Sequence, residues 1–340
     1  MDARRTPNIR WSSEVSKMHE VVIVPCYLRP ELLYCCLKRI RESQPWIPIH
    51  LFPDRGTWKD RQIIKIGLEF DAIIHVVADH DLYGNSYNTM EAYKWAWHAG
   101  YEYVYLIESD VMVHPDFFSW HRKMHEEYRD EGLFASMGWI FNREAPIVDG
   151  ELFQPWFYSI GVCFHRTQLS SIIMHASPSY YCDMADYVRK HFKDSPLNDP
   201  QNIAHFEQDG LVQRILDQEK LQTVAPGIAK CSHMGFARSY GESSGRCYED
   251  LFDGLTDFKD RVHRVEQLIA DPYERVAYFG KNIVEREIGR EIPKRTFRYR
   301  VILPGGWSTE FESELEVRKL PRRLASVEIP QDAKIGLVID

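Results

Sequence analysis

Two acids, Glu108 and Asp110, flank Ser109 directly after the apolar run Tyr103-Val104-Tyr105-Leu106-Ile107, and Val111-Met112-Val113-His114-Pro115-Asp116-Phe117-Phe118 follows them. Carboxylates at the carboxyl end of a buried strand open into the crevice where α/β sheets bind ligands. A hard divalent cation, Mn2+ or Mg2+, takes oxygen ligands of this kind, and a diphosphate would offer the same ion more of them. The acids read equally as a loop that caps the next helix. A second acidic pair, Glu207 and Asp209, sits in His205-Phe206-Glu207-Gln208-Asp209-Gly210-Leu211 at the start of a helical stretch, where acids complement the helix dipole. Later comes Lys230-Cys231-Ser232-His233-Met234-Gly235. There Ser232 and the local backbone can donate to phosphate, and His233 is a candidate metal ligand.

These residues need elements to position them. A β-branched run at 21–24 ends at Pro25, and Leu32, Leu33, Cys36, Leu37 and Ile40 follow at helical spacing. Strand, helix and strand then recur at 47–52, 59–70 and 72–77, and a helix over 85–100 with Gly100 as its stop leads into the strand 103–107. Strands separated by helices predict an α/β fold with a mostly parallel, twisted sheet covered on both faces. Beyond Pro115 a helix to Tyr128 and a strand at 133–137 are expected, then a strand within 157–164 and helices at 167–175, 180–192 and 205–219. Residues 248–287 are charged, amphipathic and helical in pattern; from about Arg295, apolar runs at 299–303, 312–317, 324–329 and 335–339 predict a small β appendage. The expected division is an N-terminal extension (1–18), a catalytic unit (19–245), a helical segment (246–293) and the appendage (294–340).

With 44% hydrophobic and 27% charged residues the 340-residue chain is globular in composition. Its net charge of −8 argues against a protein that coats nucleic acid by bulk charge. No apolar run is long enough to span a membrane, and the stretch behind Arg4, Arg5 and Arg10 is not a secretory signal. The 7 cysteines are scattered without a CxxC pair, so the expectation is a cytoplasmic protein with reduced thiols.

The order of residues 108–118 resembles the Asp-x-Asp segment of GT-A fold glycosyltransferases, most of all the N-acetylglucosaminyltransferase family that initiates complex N-glycans, with family 2-like transferases also similar. That resemblance implies a metal on Asp110, with Glu108 and Ser109 supporting the donor; Ser109 departs from the acid usual in the middle. It extends to 21–29, where Pro25, Tyr27 and Arg29 would flank the nucleotide, and to Phe52-Pro53-Asp54-Arg55-Gly56, where Asp54 would bind the uracil. Without the resemblance Asp54 is equally the start of a type I turn. Met137-Gly138-Trp139 resembles the family's Gly-Trp, which places Gly138 and Trp139 at the acceptor; a core tryptophan is the competing reading. Tyr93-Lys94-Trp95-Ala96 resembles the helix before the metal strand, although its spacing alone says only that Tyr93 and Trp97 pack together. The resemblance further makes Asp209 the general base of an inverting transfer, with Glu207 in reserve, and puts Ser232 and His233 in a loop over the diphosphate. Arg238 and Arg246 would hold that diphosphate or are surface charges.

The expected activity is therefore metal-dependent, inverting transfer of a sugar from a nucleoside diphosphate, a uridine one by preference, to a hydroxyl acceptor. A cytosolic glycan or polysaccharide is the first expectation. A hydroxymethylated DNA base is the second, because Lys294-Arg295-Thr296-Phe297-Arg298-Tyr299-Arg300 interleaves basic and aromatic residues; a solvated amphipathic strand explains that segment as well. A nucleotidyltransferase would want a glycine-rich phosphate loop, which Pro25-Cys26-Tyr27-Leu28-Arg29-Pro30 lacks. An inactive sugar-nucleotide-binding protein is the other alternative.

Overall fold

The computed structural model describes residues 20–54, 60–75, 84–139, 151–154, 157–193, 195, 207–226, 229–234, 252, 254–270, 297–302, 308–311 and 334–339. Strand β1 (Glu20–Cys26) is buried along its whole length, as an apolar run in the middle of a two-sided sheet must be. Proline at the first turn starts α1 (Pro30–Ser43), which leads to β2 (Ile49–Pro53), parallel to β1. Asp60 caps α2 (Arg61–Glu69) by accepting from Gln62 N at 2.7 Å, and β3 (Ile73–Ile74) then pairs parallel with β2. Helix α3 (Asn85–His98) ends before Gly100, whose φ of +86° lets the chain turn into β4 (Tyr103–Leu106), parallel to β1 on its other side.

After β4 come the short β5 (Val111–Val113), α4 (Phe117–Tyr128) and β6 (Leu133–Met137), then β7 (Glu151–Gln154) and β8 (Val162–His165). The helices α5 (Arg166–Ile173), α6 (Pro178–Cys182), α7 (Met184–His191) and α8 (Gln208–Glu219) precede β9 (Gln222–Pro226) and β10 (Cys231–His233). The main sheet runs β3-β2-β1-β4-β8-β6-β9-β7. Four of its pairings are parallel, whereas β8 lies antiparallel between β4 and β6, and β7 antiparallel to β9. This is an α/β sheet with helices on both faces, parallel over its first half as the sequence predicts.

Alternation along β1 divides the core. Val22, Val24 and Cys26 pack with α1, α2 and the described part of α9 (Phe258–Ala270), while Val21 and Ile23 pack with α3, α5, α7 and α8. A separate antiparallel sheet, β12-β11-β13, is built from β11 (Phe297–Ile302), β12 (Ser308–Phe311) and β13 (Lys334–Ile339). The strands expected at 312–317 and 324–329 lie outside the described residues.

Two expectations need correction. The strand placed within 157–164 is the shorter β8, because Gly161 at φ +59° turns the chain just ahead of it. The single helix expected over 180–192 is two, broken at Asp183, whose side chain accepts from Asp186 N at 2.8 Å and so restarts the helix as α7.

Candidate active site

β1 and β4 end side by side, and their carboxyl ends set the site. Ile107 N donates to Ile23 O (3.1 Å) and Ser109 N to Pro25 O (3.3 Å), so the acidic segment leaves the sheet against the end of β1. Pro25 and Ser109 are buried as backbone partners in this contact. The next turn closes when Val111 N donates to Glu108 O at 2.9 Å, and β5 follows immediately. β5 pairs antiparallel with β10, His233 opposite Val111, and Met234 N donates to Asp110 O at 2.7 Å. A distance of 123 residues in sequence is closed by that two-stranded ribbon: His233 Nε2 comes to 3.5 Å from Asp110 Oδ1.

Glu108, Asp110 and His233 thus offer ligand atoms within 4.8 Å of one another. Asp110 is buried, and its Oδ1 accepts no hydrogen bond among the described residues. A buried carboxylate oxygen without a donor is costly unless a cation satisfies it, and two carboxylates with one imidazole are a donor set that Mn2+ accepts. The residues fit a divalent cation.

The electrostatics separate the two acids. Burial and then the neighbouring Asp110 charge push Glu108 up to about 7, against the attraction of His233. Burial also works against ionised Asp110, but the Arg29 guanidinium and His233 outweigh it and hold that carboxyl well below the usual range. Arg29 Nη1 lies 2.8 Å from Asp110 Oδ2. Asn85, at the first turn of α3, donates from Nδ2 to Glu108 Oε1 at 3.2 Å.

The next residue of α3 reaches a third carboxylate by way of Gln208. Ser86 Oγ donates to Gln208 Oε1 at 2.9 Å, and Gln208 Nε2 donates to Asp209 Oδ1 at 3.1 Å. Ser159 Oγ donates to Asp209 Oδ2 at 3.1 Å. Burial raises Asp209 to about 6, and Glu207 adds to the rise while the Ser159 hydrogen bond opposes it. Asp209 is close enough to raise Glu108 in turn, and both charges bear on the buried Tyr93 hydroxyl, which burial pushes well up. Glu207 is the residue before α8; burial raises its carboxyl too.

The other expected residues are placed as follows. Asp54 follows β2; its N donates to Cys26 O (2.9 Å), and its Oδ1 accepts from Gly84 N (3.2 Å) just before α3. Tyr27 is half-buried in the β1–α1 loop. Ser232 alternates with His233 along β10 and turns to His114, with Oγ and Nε2 3.4 Å apart, on the other side of the ribbon from Asp110. Trp139 is 4% exposed and belongs to the core beside Phe117 and Cys231. Gly138 is enclosed as well, because a Cβ there would meet Phe117 Cε2 at 2.7 Å. Its N donates to Gly161 O (2.7 Å) and its O accepts from Lys230 N (2.6 Å), which ties β6 to the strand carrying His233. Arg55, Gly56, Arg238, Arg246 and residues 294–296 lie outside the described residues.

No family model matches this sequence, and no curated protein matches it. Among solved structures it is similar to a cytidylyltransferase from Leptospira borgpetersenii serovar Hardjo-bovis, at 8% identity over 79% of this chain and 100% of that one, TM-score 0.39. It is similar to S. aureus TarS 1-349 at 10% identity over 76% of this chain and 71% of that one, TM-score 0.40. A third similarity is to glucosyl-3-phosphoglycerate synthase from Mycobacterium tuberculosis, solved with Mn2+, UDP and glucosyl-3-phosphoglycerate, at 13% identity over 45% of this chain and 58% of that one, TM-score 0.32. Likenesses this distant decide nothing about chemistry, which has to be argued from the side chains.

Sequence reasoning missed Asn85, Ser86 and Ser159. Asn85 and Ser159 each donate to a candidate acid, Ser86 donates to Gln208 beside one, and none stands in a motif of its own. Tyr93 carried only the reading of a packing residue, yet its hydroxyl is buried between the fields of two carboxylates.

Proposed function

We propose that this protein is a metal-assisted, inverting glycosyltransferase that moves a sugar from a nucleoside diphosphate, by preference UDP, to a hydroxyl acceptor. One observation carries the reading: neighbouring residues of α3 join a cation-fitting set, Glu108, Asp110 and His233, to a separate carboxylate, Asp209, held near 6. A divalent cation bound there would neutralise the diphosphate as it departs. Asp110, kept ionised, and His233 would hold the ion, with Glu108 beside them.

Asp209 supplies the other half. Its carboxylate is ionised at neutral pH yet basic enough to take a proton from an acceptor hydroxyl as the new bond forms at the anomeric carbon. Ser159 and Gln208 each hold one of its oxygens, which fixes its direction. Inversion follows if the acceptor enters opposite the leaving diphosphate, with one carboxylate acting as base. Asp54 and Tyr27, at the ends of β2 and β1, are the proposed contacts for the nucleoside. A glycan is the favoured acceptor.

Thermal shift with a panel of nucleotide sugars, each with and without Mn2+, tests the reading. A metal-dependent rise in Tm with UDP or a UDP-sugar is expected. No nucleotide stabilising the protein in either condition would reject it.

A further inference from the structure

Among the described residues three arginines meet a buried carboxylate, Arg122 with Glu20, Arg261 with Glu31 and Arg29 with Asp110, and the first and the last of these pairs differ in kind. Arg122 grips Glu20 with a fork, Nε to Oε1 at 2.7 Å and Nη2 to Oε2 at 3.1 Å, and Tyr105 hydroxyl adds a third bond at 3.1 Å. That pair is built to stay. Arg29 meets Asp110 through one nitrogen at 2.8 Å, and this Nη1 is buried without making a hydrogen bond among the described residues. The attraction is one of charge, without the direction of a bond.

The backbone is bent to bring Arg29 there. Leu28 has φ +41°, a conformation that costs a non-glycine residue energy, and its side chain is exposed, so packing does not repay the strain. Arg29 itself stands at the N-cap of α1, the end of a 14-residue helix that disfavours a cation and welcomes an anion. Asp110's other oxygen, Oδ1, makes no hydrogen bond among the described residues and faces His233 Nε2 at 3.5 Å, the two atoms that fit a metal between them. A divalent ion on that carboxylate would sit close to a guanidinium of the same sign of charge.

Resting on the glycosyl-transfer reading above, we infer that Arg29 is an exchangeable counter-cation: it neutralises Asp110 in the metal-free protein, yields that carboxylate to the divalent ion, and turns to the diphosphate of the incoming nucleotide. The metal alone has to displace Arg29 from its partner. With nucleotide present, the displaced guanidinium gains two phosphates beside the N-terminus of α1. Arg29 therefore makes metal and nucleotide binding mutually reinforcing, and by linkage each raises the affinity for the other by the same factor.

Mn2+ binding to the full chain, measured by EPR of the free ion without nucleotide and again with saturating UDP, tests this. Wild type is expected to bind Mn2+ alone weakly and to gain affinity with UDP. Arg29→Gln should bind Mn2+ alone roughly tenfold more tightly, within the usual range of coupling between sites, and show a smaller gain with UDP. Arg29→Lys keeps the competing charge and should bind Mn2+ alone as wild type does. Unchanged or weaker Mn2+ binding by Arg29→Gln, in a wild type that does bind Mn2+ with UDP, overturns this inference and leaves the glycosyl-transfer reading standing. Should Arg29→Gln not fold, Arg29→Lys binding Mn2+ alone as tightly as the wild type–UDP complex does would overturn it equally. Absence of any UDP-linked Mn2+ binding in wild type overturns both.

Discussion

Ser159 Oγ donates to Asp209 Oδ2 at 3.1 Å, joining the segment before β8 to the first turn of α8. Burial alone would carry this carboxyl higher than about 6; the Ser159 hydrogen bond favours the charged form and limits the rise. The hydroxyl therefore tunes the proposed base as well as aiming it.

That relationship fixes a pH dependence. The base works ionised, so kcat/KM should fall about tenfold per unit as pH drops below about 6. Ser159→Ala removes the bond that favours the charge, and its acid limb should move to higher pH. A limb unmoved in the variant would mean that another group is titrating.

Asp209→Asn should lower turnover by roughly two or more orders of magnitude while donor affinity is kept. Its stability should move the other way. The folded state raises this carboxyl from 3.8 to about 6, so ionisation costs stability: the favourable contribution is complete below 3.8 and lost as pH rises through about 6. The variant should gain on the order of 3 kcal/mol relative to wild type above pH 7 and nothing near pH 3, read by urea denaturation at the two pH values. If Glu207→Gln is the damaging change and Asp209→Asn is mild, the base lies two residues earlier.

Asp110→Asn should abolish metal-dependent nucleotide binding without unfolding the chain, because a neutral amide cannot replace the charged ligand. Calorimetry with UDP and Mn2+ decides it. Unchanged affinity would leave Asp110 as no more than Arg29's ion-pair partner.

The first half of this architecture is legible in the sequence because its strands are long apolar runs: 21–24 and 103–107 can only be buried. β5 and β10 escape such reading. Each has three residues, and Cys231-Ser232-His233 carries no periodicity, so the ribbon that brings His233 to Asp110 exists only through long-range pairing. The acids themselves stood out by type and position. What surrounds them did not: Arg29's contact depends on a left-handed Leu28, and Asn85 and Ser86 are polar residues in a helix whose first turn meets Glu108 directly and Asp209 only through Gln208. Trp139, which a two-residue resemblance places at the acceptor, is 4% exposed and packs beside Phe117 and Cys231.

Gly161 is a purely structural test. It adopts φ +59°, and a Cβ would come within 2.6 Å of Cys231 Sγ and 3.1 Å of Phe117 Cε2. Gly161→Ala combines a left-handed backbone penalty with overpacking and should cost about 2–4 kcal/mol in chemical denaturation. Since Gly161 O receives Gly138 N and Cys231 precedes His233 by two residues, the same variant should also weaken Mn2+ binding. Wild-type stability would show that the β6–β10 junction is loosely packed.

The acceptor can be decided by salt. Should it be DNA, the basic side chains around β11 would contact phosphates, and the acceptor KM would climb steeply with ionic strength because each contact releases close to one counterion. Replacing Arg295, Arg298 and Arg300 together would then raise KM at low salt and flatten its dependence on salt. Donor hydrolysis in the absence of acceptor should be untouched by these changes, since all three stand far along the chain from every donor residue. A neutral glycan binds through hydrogen bonds and ring stacking, so its KM should barely respond to salt in either protein. The expected outcome is the second: label passes from UDP-sugar to an oligosaccharide with a flat salt profile, and the triple variant behaves as wild type. Transfer to hydroxymethylated duplex DNA, with a steep profile lost in the triple variant, would reverse that assignment while keeping Asp110 and Asp209 in their roles.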